Sequence, residues 1–330
     1  MRVLAIILNY KTAALTERAI VAALAALDAV PGSSLVVVDN DSQDGSFERL
    51  AAFADGPAMR GRFELVQSGR NGGFGAGNNV AIRRALASSE SPDYLYILNS
   101  DAFPEPDAIR ALVDHLDAHP EIGLAGSSIH GLDDRPHETA FRFPSIASEL
   151  ETAMQLGVVT TLLASMRVPR PMPTATEVVD WVAGASLIVR RQVFETVGLF
   201  DETFFLYFEE TELCHRAAQA GFRTAYVVES RVAHVGSAST GVQGIRGPMP
   251  TYWFDSRAHY FAKTHGGAYL FGANAARILG GVSLRTRALL QRRQLNEPHH
   301  FLRDLTVHAI RRRMRVRGAP ESHETRTASR

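Results

Sequence analysis

Unbroken apolar runs alternate with amphipathic stretches along the first hundred residues. Val3 to Leu8 is continuously apolar, and Ser34 to Asp39 carries a second apolar run ending at an acid. Such runs predict strands buried on both faces. Phe63 to Val66 and Tyr94 to Leu98 read as a third and a fourth strand. Between them Thr16 to Leu27, Asp44 to Ala54 and Asn78 to Ser88 read as helices. Strands separated by helices of about ten residues predict a parallel sheet with right-handed crossovers. Ligands bind such sheets at the carboxyl ends of the strands. Asn9, Asp39 and Asp101 lie at or just past those ends.

The later pattern is less regular. A helix from Asp107 to His119 and a strand from Gly123 to Ser127 precede a polar, turn-rich stretch at 130–145. Glu149 to Met166 reads as one helix, and Val178 to Val189 as a strand bent at Gly184. Glu210 to Ala220 reads as a helix that Gly221 can stop. Thr224 to Val228 is a further strand, and the glycines and prolines of 236–250 predict a flexible loop or lid. From Gly318 the composition predicts disorder.

Charge changes the picture at one end. Residues 1–264 hold 22 basic and 31 acidic residues, whereas 265–317 hold 11 Arg and 2 acids. An acidic body with a basic end argues against nucleic acid as a partner and suits contact with an anionic surface at that end. Leu156 to Met166 and Ala268 to Leu284 are the longest apolar candidates. Neither offers the ~20 apolar residues a spanning helix needs. The single cysteine, Cys214, allows no disulfide within the chain. These features predict a cytoplasmic protein able to lie on a membrane without crossing it.

Five polar clusters could carry chemistry, and each has a plainer structural role open to it. In Asp39-Asn40-Asp41-Ser42-Gln43-Asp44-Gly45-Ser46 the first acid could accept from a base N–H or a ribose hydroxyl, and the following helix start suits phosphate. Asp44 or Ser46 could equally be an N-cap. Gly72, Gly73, Gly75 and Gly77 stand between a strand and a helix, where backbone N–H groups can approach a phosphate or a base. Their spacing fits neither a dinucleotide fingerprint nor a P-loop, and a tight loop alone would also need them. Asp101, directly after a strand, can ligate a hard divalent cation or act as a turn residue. Glu209, Glu210 and Glu212 open a helix. They either complement its dipole or supply a general base that the dipole holds ionised. His234 can ligate a metal, bind phosphate or be structural.

Taken in order, these clusters resemble family 2 glycosyltransferases of the GT-A fold, and look most like the rhamnosyltransferase-type branch of cell-wall and O-antigen assembly. The resemblance rests on Asn9-Tyr10 at the first strand end, Val38-Asp39-Asn40-x-Ser42-x-Asp44-Gly45-Ser46, Asn71-x-Gly73-Phe74-Gly75-x-Gly77-Asn78, and Leu98-Asn99-Ser100-Asp101. Gly184-Ala185-Ser186-Leu187-Ile188-Val189-Arg190-Arg191 and Gly198-Leu199-Phe200-Asp201-Glu202 through Glu210 complete the set. It implies a GT-A α/β fold, with a mostly parallel central sheet flanked by helices, over residues 1–264. A C-terminal helical basic extension would follow over 265–317, with the tail at 318–330.

The resemblance further implies an inverting glycosyltransferase. It would move a sugar from a nucleotide-diphosphate sugar, dTDP-rhamnose or a UDP-sugar by preference, to a hydroxyl of a glycan or lipid-linked acceptor. Asn9, Tyr10, Asp39, Asn40, Asp41 and Asn71 would line the nucleotide pocket with Gly73, Asn78, Asn99, Ser100 and Asp101. Asp101 matches the last acid of the family's D-x-D motif and would bind Mg²⁺ or Mn²⁺, while Asn99 stands where the motif has its first acid. His234 matches a histidine that can complete the metal site. Trp181 and Gly184 would sit near the donor sugar or the acceptor. Where the family has Glu-Asp-x-Asp, this chain has Glu209-Glu210-Thr211-Glu212. Glu210 matches the catalytic Asp. Its extra methylene moves the carboxylate by about one bond length, which leaves Glu209 as the alternative base.

Competing readings are a non-catalytic sugar-nucleotide scaffold, a nucleotidyltransferase and an NAD-dependent oxidoreductase. Arg277, Arg285, Arg287, Arg292, Arg293 and the run Arg311 to Arg317 lie among apolar residues. They predict either peripheral contact with the inner face of the cytoplasmic membrane, or a solvated basic helix or homodimer contact.

Overall fold

The computed structural model describes residues 1–236, 247–295 and 297–318, with side chains as far as Met314. The α/β alternation runs as β1 (Val3–Asn9), α1 (Ala13–Leu27), β2 (Ser34–Asp39), α2 (Ser46–Asp55), β3 (Glu64–Gln67), α3 (Phe74–Ala87) and β4 (Tyr94–Asn99). There follow β5 (Ala102–Pro104), α4 (Ala108–Ala118), β6 (Ile122–His130) and β7 (Ala140–Phe141). Next come α5 (Ile146–Met154), α6 (Gly157–Leu162), β8 (Glu177–Val179), β9 (Trp181–Val182), β10 (Ser186–Arg190), α7 (Arg191–Val197) and α8 (Glu209–Gln219). The strand β11 (Arg223–His234) leads to the helices α9 (Thr251–His265), α10 (Gly267–Leu290) and α11 (Phe301–Gly318).

The main sheet has the order β3-β2-β1-β4-β10-β6-β11-β5, with β8 also on β11. The strands β3, β2, β1 and β4 are mutually parallel, and β11 is parallel to β6. Between these groups β10 is antiparallel to both β4 and β6. The reversal brings the start of β10 beside the end of β4, with Ser186 opposite Leu98.

Side-chain alternation explains the apolar runs. Val3, Ala5, Ile7, Val37, Tyr96 and Leu98 face one core with α1 and α4. Leu4, Ile6, Val36, Val38, Leu95 and Ile97 face another with α3, α7 and α8. Ile6 and Ile7 are both fully buried, on opposite faces, each contributing about 1.5–3 kcal/mol.

Several boundaries differ from expectation. The stretch from Glu149 to Met166 is not one helix. Gln155 takes φ +46°, and α5 ends there before the short α6. The bent strand from Val178 to Val189 is three strands: Asp180, between β8 and β9, turns aside to accept the Phe143 N–H (2.8 Å), and the chain breaks again around Gly184 before β10. The helix α3 begins at Phe74, inside the glycine run, rather than at Asn78. The N-cap of α2 is Gly45, in the left-handed region, while Asp44 accepts from Ser46 N (3.1 Å). The expected loop or lid at 236–250 falls largely on 237–246, outside the described residues, as does the tail from 319.

The boundary at 264/265 falls one residue before the end of α9, and α10 packs along α5. A β-carbon on Gly280 would meet the Ala153 side chain at 2.6 Å and the Leu150 carbonyl at 3.1 Å, so the two helices touch backbone to backbone. Arg257 of α9, 1 % exposed, donates to Glu149 of α5 (3.0 Å) and to Asn274 of α10 (2.7 Å). Arg277 also turns inward, 3.6 Å from Glu149. Arg285 pairs with Glu297 (3.0 Å), and Arg287 donates to the Met154 carbonyl. Arg277 is therefore a packing residue, and Arg285 and Arg287 are half-buried and already paired within the fold.

Candidate active site

The carboxyl ends of β1, β2 and β4 meet in a buried polar floor. Asn9 Nδ2 donates to Asp39 Oδ1 (2.6 Å), and Ser42 reaches both Asp39 oxygens through its hydroxyl (2.6 Å) and its N–H (3.1 Å). Asn9 Oδ1 accepts from Thr16 (2.7 Å) and Thr12, and Thr12 shares a hydrogen bond with Ser100 (2.8 Å). Asn9 and Asp39 are fully buried and Ser100 nearly so. These three expected nucleotide ligands brace the strand ends against one another. Tyr10, Asp41, Asn71 and Asn99 keep solvent contact above that floor.

The glycine loop is tied to the floor and to the acids. Asn40 Nδ2 donates to Asn71 Oδ1 (3.1 Å) and to the Gly73 carbonyl (3.2 Å). The buried Asn40 Oδ1 and Asn78 Oδ1 have no partner among the described residues. Gly73 has φ +88°, and a β-carbon there would overlap the Phe205 carbonyl. Phe74 N donates to that carbonyl (3.0 Å). Glycine is therefore required at 73 twice over, by its φ and by a close backbone approach.

The acid helix enters through a strained turn. Tyr207 and Phe208, both bulky, have φ +70° and +72°, a conformation that costs about 1–3 kcal/mol per residue and needs support. The support is aromatic. Tyr252 packs on Phe205 (5.5 Å between centroids) and Trp253 on Phe208 (6.1 Å), while Ser256 donates to the Leu206 carbonyl (3.0 Å). Asn79 holds the preceding segment through Phe200 N and O and through Glu202 Oε1 (3.0 Å). Sequence reasoning gave no role to Asn79, Tyr252 or Trp253. The aromatic run directly after the glycine-rich segment was the available signal.

The three glutamates separate by environment. Glu212 Oε1 accepts from Arg216 (2.6 Å) and from Lys263 (2.8 Å). Lys263 and His259 also hold Asp201. Burial pushes the Asp201 carboxyl up, but those donors outweigh it and hold it well below the usual range. Glu209 is 3 % exposed, and burial, then the charge on Glu210, push its carboxyl well above the usual glutamate range. Burial also raises Glu210, against N–H groups of its own residue, Gly184 and Thr211. The expected ionising effect of the helix dipole is thus overcome by desolvation. Each of Glu209 and Glu210 has a buried Oε2 without a partner among the described residues.

Gly184 joins this pair to the strand ends. A β-carbon on it would lie 3.6 Å from Glu210 Oε1 and 3.3 Å from Phe74 Cζ. The next residue, Ala185, accepts from Asn99 N (3.0 Å). Asp101, two residues beyond Asn99, is 2 % exposed, and its Oδ1 lies 3.0 Å from His234 Nε2. The β5–β11 ladder sets that contact by pairing His234 with Ala102. Trp181 is turned to structure instead. It stacks on Phe141 (4.2 Å) and donates to the Arg142 carbonyl (2.9 Å). Cys214 is buried and its thiol is pushed up to about 12, in keeping with an apolar role. Two large clefts, about 800 Å³ beside α4 and about 700 Å³ at the amino ends of β1 and β2, lie elsewhere and contain none of these residues.

Residues 5–171 match the family model for glycosyl transferase family 2. An N-acetylglucosaminyl-diphospho-decaprenol L-rhamnosyltransferase of Mycobacterium tuberculosis is 29% identical over 256 residues, 73% of this chain and 75% of that protein. The rhamnosyltransferase WbbL of Escherichia coli is 28% identical over 167 residues, 49% of this chain and 60% of that one. Among solved structures, a mannosyltransferase of Pyrobaculum calidifontis in complex with GDP-Man and Mn²⁺ superposes with TM-score 0.54 at 16% identity, over 96% of this chain and 80% of that one. At that identity the likeness is one of fold, and it bears out the GT-A architecture.

Proposed function

The chain belongs to glycosyl transferase family 2, and from that premise we propose an inverting rhamnosyltransferase-type enzyme of cell-wall polysaccharide assembly. The donor is a nucleotide-diphosphate sugar, dTDP-rhamnose or a UDP-sugar. The acceptor is a hydroxyl on a glycan or lipid-linked glycan, as the decaprenol-linked substrate in the name of the M. tuberculosis relative suggests. No helix among the described residues is long and apolar enough to cross a membrane. Such an acceptor would be met at the cytoplasmic face.

The observation that carries the proposal is that a β-carbon on Gly184 would touch both Glu210 and Phe74, so the backbone there leaves room for the two side chains to approach. It supports a carboxylate beside the glycine loop, next to the β10 start that lies against the end of β4. Glu210 is the proposed base. The two glutamates cannot both ionise cheaply in a dry site, and Glu209, the more deeply buried, keeps its proton. Glu210 then carries the charge and takes the proton from the acceptor hydroxyl as that oxygen attacks the anomeric carbon. A single displacement inverts the configuration. Tyr10, Asp41, Asn71 and Asn99 bind the donor from above the floor that Asn9, Asp39, Asn40, Asn78 and Ser100 shape.

Asp101 and His234 fit a divalent cation. They bring a carboxylate oxygen and an imidazole nitrogen within 3.0 Å of each other, a donor set suited to Mg²⁺ or Mn²⁺. Among the described residues no group of three or more His, Cys, Asp or Glu converges to hold a metal. The donor's diphosphate would therefore complete the coordination. When bound, the ion would supply Lewis-acid stabilisation of the departing diphosphate.

The test is product formation from dTDP-rhamnose and UDP-sugars with a polyprenyl-diphosphate N-acetylglucosamine acceptor and Mn²⁺. A product of inverted anomeric configuration is expected. Donor binding without any product would favour the scaffold reading instead.

A further inference from the structure

The C-terminal helices carry an exposed stripe whose composition fits a lipid surface. Phe271, Ala275, Leu279, Val282, Thr286 and Leu289 follow one another at steps of three or four along α10, which sets them on one helix face. The stripe runs about 27 Å at 1.5 Å per residue. It faces solvent: Phe271 is 64%, Leu279 67% and Leu289 80% exposed. The adjoining α11 repeats the arrangement with Val307, Ile310 and Met314, all exposed. Arg313 lies over the Phe271 ring (5.8 Å), so the two stripes meet.

The charge at this face has one sign. Residues 267–296 contain no acid. Arg292 and Arg293 are exposed at the end of the α10 stripe, and Arg303, Arg311 and Arg313 are exposed on α11. The one acid of α11, Asp304, is taken by Arg303 (2.8 Å). A two-fold contact of the stripe with a second copy would bring only arginines to arginines. Anionic lipid heads satisfy the arginines while the acyl boundary takes the apolar side chains.

We propose that the solvent-facing stripes of α10 and α11 form a docking surface for an anionic bilayer, with Leu279, Val282 and Leu289 inserting at the headgroup boundary. The inference deepens the lipid-linked acceptor reading and rests on it for its purpose. The face is tied to the site through α9. Phe301 of α11 packs on Trp253 (5.6 Å), and Trp253 packs on Phe208, next to Glu209.

The test is vesicle flotation of the full chain with phosphatidylglycerol-containing and pure phosphatidylcholine vesicles. The variants are the triple Leu279→Glu, Val282→Glu, Leu289→Glu and the double Arg292→Glu, Arg293→Glu. All five sites are exposed, so folding is preserved. The unsubstituted protein should bind the phosphatidylglycerol vesicles, and the triple variant should bind at least ~tenfold less. The double variant should lose roughly tenfold with phosphatidylglycerol vesicles and little with phosphatidylcholine. Flotation of the triple variant equal to the parent overturns the proposal. So does a parent that ignores vesicles but forms a dimer the triple variant dissolves. Nucleotide-induced thermal stabilisation is read on the same proteins. Vesicle binding without it would sink the transferase reading and leave the docking surface standing.

Discussion

The Phe205 carbonyl occupies the space where a β-carbon on Gly73 would stand, and it accepts the N–H of Phe74 from the same turn. One close approach thus fixes the nucleotide-side loop against the strained turn that presents Glu209 and Glu210. Gly73→Ala must move one loop or the other, and its φ of +88° adds backbone strain. Displacements near 1 Å in a catalytic site can lower rate about 10²-fold. The variant should lose at least that much in kcat/KM together with its nucleotide-induced thermal shift. Gly184→Ala, whose nearest contact is the Phe74 ring at 3.3 Å, should fold normally and lose mainly kcat. Steady-state kinetics with circular dichroism distinguishes the two.

Glu210→Gln should lower kcat by about 10²–10⁴, the usual contribution of general base catalysis, while donor-induced stabilisation persists. Glu209→Gln should keep activity within a few-fold, because the side chain it replaces is already neutral. Full activity in Glu210→Gln would move the base elsewhere, with Glu209 the first candidate.

The upward shift at Glu210 gives the pH profile a sign. The base works only when deprotonated, so kcat/KM should fall as pH drops, with a midpoint above the ordinary glutamate value of about 4.3. Stability moves the other way. Glu209 keeps its proton in the folded state well above the pH at which the unfolded chain loses it. Folding is therefore penalised as pH rises from the unfolded value toward the folded one. Glu209→Gln removes that penalty and should raise Tm at pH 7 but not at pH 4. A melting series over that range, parent against variant, checks it.

Asp101 and His234 bring just two ligands together among the described residues, so nucleotide and metal should bind together. Donor nucleotide at 100 times its Kd stabilises by about 2.7 kcal/mol. EDTA, Asp101→Asn or His234→Ala should each abolish most of the resulting thermal shift. A full shift in EDTA would exclude the ion from donor binding.

The sheet was legible because its strands are buried on both faces, so Val3 to Leu8 or Tyr94 to Leu98 could hardly be anything else. The acids and the glycine loop were legible as ordered motifs. What each residue does was less so. Asn9 and Asp39 sit at the predicted strand ends, yet only the coordinates show that Ser42, Thr12 and Thr16 engage them. All three helix acids are largely buried; the pairing of Glu212 with Lys263, 51 residues away and recorded by no local pattern, separates it from Glu209 and Glu210. The arginines of the last helices look alike in sequence, and long-range packing on Glu149 divides Arg277 from Arg292.

That packing makes a prediction about where the fold ends. Glu149 is the shared counter-charge of Arg257 and Arg277, at 2.9 and 3.6 Å, and burial already pushes the Arg277 guanidinium down. Removing one member of a buried pair leaves an uncompensated charge and costs about 3–5 kcal/mol. Glu149→Ala should destabilise by that amount in urea unfolding. The double variant Glu149→Leu, Arg257→Met should recover part of it, because two apolar side chains replace a pair. A chain ending at Thr264 removes Asn274 from Arg257 and uncovers the α5 face that Gly280 packs against. It should be less stable than Glu149→Ala. If it melts like the full chain, residues 265–317 are an appendage and Arg277 and Asn274 contribute nothing to the fold.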